Sequence, residues 1–129
     1  MYTAHNRRRF PRFALQPAYT PIAARMLDSE TFDFEGHAYD ISEGGVQFEL
    51  DRAIKPGTRI ALAITLPTMN SKNIGPGRAI YVFANVIWTD NDDVDGPVRI
   101  AAVFTRFARA GDQERLRNEF RTGQYRAAA

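Results

Sequence analysis

Residues 40–50 read DISEGGVQFEL and join a tight turn to a β-strand. Apolar and polar residues alternate over the last six positions, and this period of two is typical of a strand with one buried face. The glycine pair Gly44 and Gly45 directly before the alternation allows the chain to bend sharply. The stretch therefore predicts a turn followed by a strand over 45–50.

The segments on both sides of this stretch carry further strand patterns. They predict strands over 18–27, 31–41, 58–66, 79–89 and 98–107. In the second of these, alternation places Ala38 and Asp40 on one side, and in the fourth it places Val86 and Trp88 on one face. Residues 67–77 hold two prolines and two glycines and predict a loop of about ten residues.

A helix is predicted near the C-terminus, over about 111–122. Asp112 is the expected N-cap, and Leu116 and Phe120 lie four residues apart on one face. Many short strands followed by one short helix indicate an all-β fold, a closed antiparallel β-barrel with a C-terminal α-helix and an N-terminal arginine-rich arm.

Length and composition limit the classes of protein that fit. A chain of 129 residues favours one domain, with an arm at 1–17, the barrel and helix at 18–122 and a tail at 123–129. The absence of cysteine excludes disulfides and a thiol nucleophile. No apolar run has the length of a membrane span, so a cytoplasmic protein is expected.

No motif supports catalysis or metal binding. The sequence has no Ser-His-Asp order, paired-carboxylate cleft or phosphate-binding loop. The two histidines, His5 and His37, have no partner at ligand spacing. We therefore expect neither an enzyme nor a metal site.

Charge is distributed unevenly along the chain. Net charge is +2, and 15 of the 17 basic residues are arginine, which grips phosphate bidentately and stacks on bases. Residues 1–12 hold four arginines and no acid, whereas residues 28–51 hold eight acids and no lysine or arginine. This pattern favours a local anion site over a general nucleic-acid surface.

Two short motifs define the candidate site. Arg8 and Arg12 form Arg-x-x-x-Arg, and Asp40, Ser42 and Gly45 form Asp-x-Ser-x-x-Gly. Guanidinium groups bind phosphate or the edge of guanine, and a carboxylate beside a hydroxyl accepts from N–H donors. Together they suit an anionic ligand that carries a flat base with donor edges, such as a guanine nucleotide.

In this order and spacing, the two motifs resemble those of the PilZ family. The resemblance covers residues 6–107 and reaches at most residue 122. It implies a six-stranded antiparallel barrel with a C-terminal helix that binds cyclic di-GMP, with no further cofactor. It also implies that Arg8 and Arg12 contact guanine and phosphate and that Asp40 and Ser42 hold a guanine.

The residue chemistry and the resemblance together give neighbouring residues supporting roles. Gly45 shapes the turn, and Gly44 allows close approach of the backbone. Arg9 is a supporting phosphate contact. Arg7 resembles the extra arginine of PilZ members that bind an intercalated dimer of the dinucleotide.

The leading hypothesis is a receptor whose arm becomes ordered on binding and alters contact with an unidentified downstream protein. One alternative is a degenerate PilZ-like interaction module that does not bind the nucleotide. Another is a small nucleic-acid-binding barrel, although the net charge and the acidic stretch at 28–51 argue against it.

Overall fold

The structure is a computed structural model. It describes residues 10–15, 20–69, 74–90, 97–122 and 126–127. Its elements, in chain order, are β1 (Phe13–Ala14), β2 (Pro21–Met26), β3 (Phe34–Ile41), β4 (Gly45–Leu50), β5 (Arg59–Met69), β6 (Ile74–Thr89), β7 (Val98–Phe107), α1 (Asp112–Thr122) and β8 (Arg126–Ala127).

Six of these strands close into an antiparallel barrel. The order around the barrel is β2-β5-β6-β7-β4-β3, and pairing of β2 with β3 completes the ring. The two-residue strand β1 pairs with β3 beyond the end of β2, and β8 pairs with β1. The predicted all-β six-stranded barrel with a short C-terminal helix is confirmed.

The alternation seen in the sequence fills the barrel interior. Phe48, Leu62 and Ile100 are fully buried there. Each side chain of this size contributes about 1.5–3 kcal/mol when it leaves water. Leu116 of α1 is also fully buried, so the helix packs on the barrel through the predicted face.

The predicted loop at 67–77 is wrong for most of its length. β5 continues to Met69 and β6 begins at Ile74, with Pro67 opposite Pro76. The β2 pairing ends at Ile64, so among the described strands only β5 and β6 pair at this end. Proline is tolerated here because no further strand needs its missing N–H.

Asp112 is not the N-cap of α1. The Arg115 N–H donates to the carbonyl of Gly111, which precedes the helix. Asp112 Oδ2 instead accepts from the Tyr81 N–H of β6 at 2.9 Å and from Arg109 Nε at 3.0 Å. Burial raises the pKa of this carboxyl, but these donors outweigh it and lower the pKa overall. Asp112 therefore joins the helix to the barrel.

Candidate ligand-binding site

A β-bulge in β3 turns Asp40 to the outside of the barrel. Ala38 pairs with Phe48 and Asp40 pairs with Gln47, so Tyr39 is the extra residue. Ala38 is fully buried, whereas Asp40 is half-buried on the outer surface. The prediction that Ala38 and Asp40 share a side is wrong, because a bulge shifts the alternation by one residue.

A second bulge lies in β6. Val86 pairs with Ala102 and Trp88 pairs with Ala101, which leaves Ile87 as the extra residue. Ile87 and Trp88 are 57% and 47% exposed, whereas Val86 is buried. Trp88 therefore does not share the face of Val86, and the bulge places two large apolar side chains on the outer surface.

The two bulges lie at opposite ends of one row of residues. Asp40 is opposite Gln47, Gln47 is opposite Ala101, and Ala101 is opposite Trp88. A groove of about 470 Å³ runs along this surface. It is lined by Phe10, Arg12, Asp40, Ser42, Gly44, Gly45, Val46, Gln47, Ile87, Ala101, Ala102, Val103 and Phe104.

The turn between β3 and β4 is held by Ser42. Its backbone N–H donates to the Gly45 carbonyl at 2.9 Å, and its hydroxyl accepts from the Gly44 N–H at 3.0 Å. The residue is only 8% exposed. Because the hydroxyl is used here as an acceptor, its own proton is left for donation toward the groove.

Gly45 meets the neighbouring strand too closely for any side chain. A Cβ at this position would lie 2.6 Å from the Ala102 carbonyl oxygen of β7. The paired strands β3, β4 and β7, with the turn between the first two, form one side of the groove. We call this side the strand wall.

The other side of the groove, which we call the arm wall, is residues 10–15. Strand β1 within it pairs Ala14 with Asp40, and the Leu15 N–H donates to the Tyr39 carbonyl at 2.8 Å. The Phe10 ring lies over Gly44, where an added Cβ would be 3.2 Å from the ring. Arg12 thereby comes to the edge of the groove that holds Asp40.

Burial and two nearby arginines shift the pKa of Asp40 in opposite directions. Burial raises the pKa of its carboxyl above the ordinary 3.8, while Arg12 and Arg99 pull it down, and the net direction is upward. Arg99 stacks on Tyr39, with its guanidinium carbon 4.2 Å from the centroid of the ring. A ligand that donates hydrogen bonds to Asp40 would favour its charged form.

A sequence comparison with models of known families gives a match to the PilZ domain over residues 6–121. The chain belongs to the PilZ domain family. A search of curated protein sequences found no match to this chain.

Three solved structures have the same fold. The inhibitor of motility MotI/DgrA of Bacillus subtilis has a TM-score of 0.59 and 22% identity, over 95% of this chain and 57% of its own. The PilZ domain of Escherichia coli YcgR with c-di-GMP has a TM-score of 0.52 and 18% identity, over 86% of both chains. The K. pneumonia MrkH–c-di-GMP complex has a TM-score of 0.57 and 17% identity, over 92% of this chain and 55% of its own. This chain thus spans little more than half the length of MotI and MrkH.

In this PilZ domain, five of the eight predicted site residues meet at one groove. They are Arg12, Asp40, Ser42, Gly44 and Gly45. The other three, Arg7, Arg8 and Arg9, lie outside the described residues. The role of all eight as ligand contacts stays a prediction.

Sequence reasoning missed several groove residues. Gln47 and Ala101 occur at polar and small positions of ordinary strands, and Ile87 is an ordinary apolar strand residue that reaches the groove beside the β6 bulge. Phe10 could have been found, because it lies inside the arginine motif of the arm.

The C-terminal helix of the domain contacts both walls. Arg117 pairs with Glu43 of the turn, with Nε to Oε1 at 3.1 Å and Nη2 to Oε2 at 3.3 Å. Phe120 stacks on Phe13 of the arm wall with ring centroids 4.4 Å apart. The helix therefore connects the two motif-bearing segments.

A second groove adjoins the first. It has a volume of about 550 Å³ and shares Phe10, Gly44 and Phe104 with the first groove.

Among the described residues, no group of three or more His, Asp or Glu side chains could hold a metal ion. Within the same residues, no helix is long and apolar enough to cross a membrane.

Proposed function

We propose that this PilZ domain is a non-catalytic receptor for cyclic di-GMP, which binds in the groove between the two walls. The observation that carries the proposal is the meeting of Arg12 with Asp40, Ser42 and Gly45 at one cavity. The groove volume falls within the range of small-molecule sites, about 300–1,000 Å³. The presence of c-di-GMP in the YcgR and MrkH structures supports this choice of ligand.

The chemistry of the groove fits both parts of the dinucleotide. Asp40 accepts from the N–H donors of one guanine, and the Ser42 hydroxyl donates beside it. Arg12 pairs with a phosphodiester oxygen or with guanine O6 and N7. Arg8 contributes a second guanidinium of the same kind, and Arg9 supports the phosphate.

We further propose that the ligand binds as an intercalated dimer. The two grooves meet at Phe10 and Gly44, so a second dinucleotide has space beside the first. Arg7, one residue before Arg8, supplies the additional positive charge that two more phosphodiesters require.

The signal passes onward through the arm. Binding draws the arginines of residues 7–12 onto the ligand, whose phosphodiesters neutralise part of their positive charge. An unidentified downstream protein then recognises the changed surface, in an order–disorder switch. The contacts of α1 with both walls offer a second place at which such a protein could respond.

Isothermal titration with cyclic di-GMP tests the proposal. Wild type is expected to bind saturably, with two dinucleotides per chain, and Arg12→Ala and Asp40→Ala are expected to weaken binding at least tenfold, about 1.4 kcal/mol. Arg52→Ala and Asp51→Ala are matched controls, because both residues are exposed at the end of β4, away from the groove.

The alternatives give different results in the same experiment. A folded chain that releases no heat with the dinucleotide would favour the interaction module. Affinity for an unrelated single-stranded oligonucleotide that falls steeply with salt, without base preference, would favour the nucleic-acid-binding barrel.

A further inference from the structure

Gln47 lies in the middle of the strand wall. It lies on β4 between Asp40 of β3 and Ala101 of β7, and it is opposite both in the strand register. Its chain neighbours Val46 and Phe48 point into the core, so its own side chain points outward. The residue is half-buried and lines the groove.

The Gln47 carboxamide is not hydrogen-bonded to any other described side chain. Of the neighbouring polar groups, the Ser42 hydroxyl oxygen accepts from the Gly44 N–H, and Arg99, which acts on Asp40, stacks on Tyr39. Ala101, on the side away from Asp40, carries only a methyl group. An amide donor is thereby left beside a carboxylate acceptor, with open space over both.

Directly opposed residues on antiparallel strands have Cβ atoms about 4.5–5.5 Å apart. One base edge can therefore reach both terminal groups. The Watson–Crick edge of guanine has two adjacent N–H donors and one carbonyl acceptor, O6. Adenine has the reverse order at the equivalent positions, an amino donor at C6 and an acceptor at N1. A carboxylate next to an amide donor matches guanine and opposes adenine.

We propose that Gln47 reads the guanine base, by donating from its carboxamide N–H to O6 of the guanine whose N1–H and N2–H groups bond Asp40. This assignment rests on the proposed function, since it requires the dinucleotide to occupy the groove. It makes Gln47 a determinant of selectivity for guanine over adenine, a role to which neither sequence motif points.

The test compares wild type with Gln47→Leu, which keeps the size of the side chain and removes its donor. Each protein is titrated with cyclic di-GMP and with its 6-thioguanine analogue, whose sulfur is a weak acceptor. Gln47→Leu is expected to weaken cyclic di-GMP binding about five- to twentyfold, as for loss of a hydrogen bond in a closed site. Wild type is expected to bind the thio analogue more weakly than cyclic di-GMP. For Gln47→Leu the difference in affinity between the two ligands should be much smaller.

A control variant and a second substitution complete the design. Glu35→Leu makes a comparable polar-to-apolar change at an exposed β3 position outside the groove and is expected to bind as wild type. Gln47→Glu is expected to weaken binding more than Gln47→Leu, because it places a second carboxylate beside Asp40 and against O6. Circular dichroism establishes that each variant is folded.

The outcomes separate this inference from the proposed function. If wild type does not bind cyclic di-GMP, the proposed function fails. If wild type binds and Gln47→Leu binds within twofold of it, the assignment of Gln47 is overturned while the receptor function stands. If Gln47→Leu loses affinity by the same factor, relative to wild type, for cyclic di-GMP and for the thio analogue, the assignment is also overturned. Such equal losses would indicate that Gln47 has a structural role only.

Discussion

The strand wall and the arm wall of the groove are held by different forces. In the strand wall, β3, β4 and β7 each pair with neighbours on both sides around the closed ring. The arm wall is attached by the two residues of β1 and by Leu15, which is buried in the core and donates its N–H to Tyr39. Two side-chain contacts add to this: Phe10 over Gly44 and Phe13 on Phe120.

The two walls therefore have different roles in binding. Backbone pairing fixes the positions of Asp40 and Gln47 whether or not a ligand is present. The position of Arg12 depends on a short strand and on α1, so it can respond to a ligand at a smaller cost in free energy. Substitutions in the two walls should therefore separate barrel stability from ligand affinity.

The largest effect is expected from the adjacent glycines. In Gly45→Ala the new Cβ meets the Ala102 carbonyl oxygen at 2.6 Å, and the β4–β7 pairing must shift because this backbone atom cannot move alone. We therefore expect a loss of about 3 kcal/mol in the free energy of unfolding, the upper end of the range for overpacking. In Gly44→Ala the Cβ meets the Phe10 ring at 3.2 Å, which can move aside, and the Ser42 hydroxyl at an ordinary contact distance of 3.8 Å. Its loss should stay below about 0.5 kcal/mol.

Urea denaturation followed by circular dichroism measures both variants. Equal losses for Gly44→Ala and Gly45→Ala would contradict the distinction between the walls. Titration with cyclic di-GMP then shows whether Gly44→Ala, which displaces Phe10, weakens binding in a barrel of normal stability.

A smaller effect is expected from the stacked rings. Phe120→Ala removes the contact that holds Phe13, and because both rings are only half-buried we expect a loss of about 2 kcal/mol, below the range for core phenylalanine. Affinity for the ligand should also fall, although Phe120 does not line either groove. A double-mutant cycle with Phe13→Ala should give a coupling of about 0.5–1.5 kcal/mol. Additive losses would remove the proposed support of the arm by the helix.

The raised pKa of Asp40 predicts opposite effects on stability and binding. The folded chain keeps the proton of Asp40 to a higher pH than the unfolded chain, so this residue lowers stability as the pH rises through its raised pKa. Ligand affinity should rise over the same interval, because the ligand bonds the carboxylate. Asp40→Asn should therefore be at least as stable as wild type at neutral pH and should lose the pH dependence of binding. A thermal midpoint and titrations from about pH 4 to pH 7 test both statements.

The smallest effect is expected at the exposed ion pair. Arg117→Gln breaks the contact with Glu43, but the arginine is solvent-exposed and such pairs contribute little. The thermal midpoint should be almost unchanged, and any decrease in ligand affinity should disappear at high salt. A large, salt-independent loss would mean that the helix positions the turn more firmly than this contact explains.

The sequence predicted the barrel because its alternation is regular where strands face the core. The β4 prediction at 45–50 is correct, and the helix prediction agrees with Asp112–Thr122 to within one residue. The loop prediction at 67–77 is wrong because proline, although typical of loops, is also tolerated where a strand has a free edge.

The motif residues of the candidate site were predictable from the sequence, whereas the strand residues between the two bulges were not. The motif includes Gly45, and the structure requires glycine there because a Cβ would meet the Ala102 carbonyl oxygen. The turn brings Asp40 and Ser42 to the same groove. The bulges at Tyr39 and Ile87 have no sequence signal of their own, and each shifts the alternation locally. For that reason the outward positions of Asp40 and Trp88, and the central place of Gln47 between the bulges, required the structure.

The central claim is that cyclic di-GMP occupies the groove between the strand wall and the arm wall. Titration of isotopically labelled protein with cyclic di-GMP, followed by amide NMR, tests it directly. The account predicts that the largest shift changes occur at Arg12, Asp40, Gly44, Gln47 and Ala101. Changes confined to the separate groove around Arg59, Phe83 and Arg106, or no changes with saturating ligand, would contradict it.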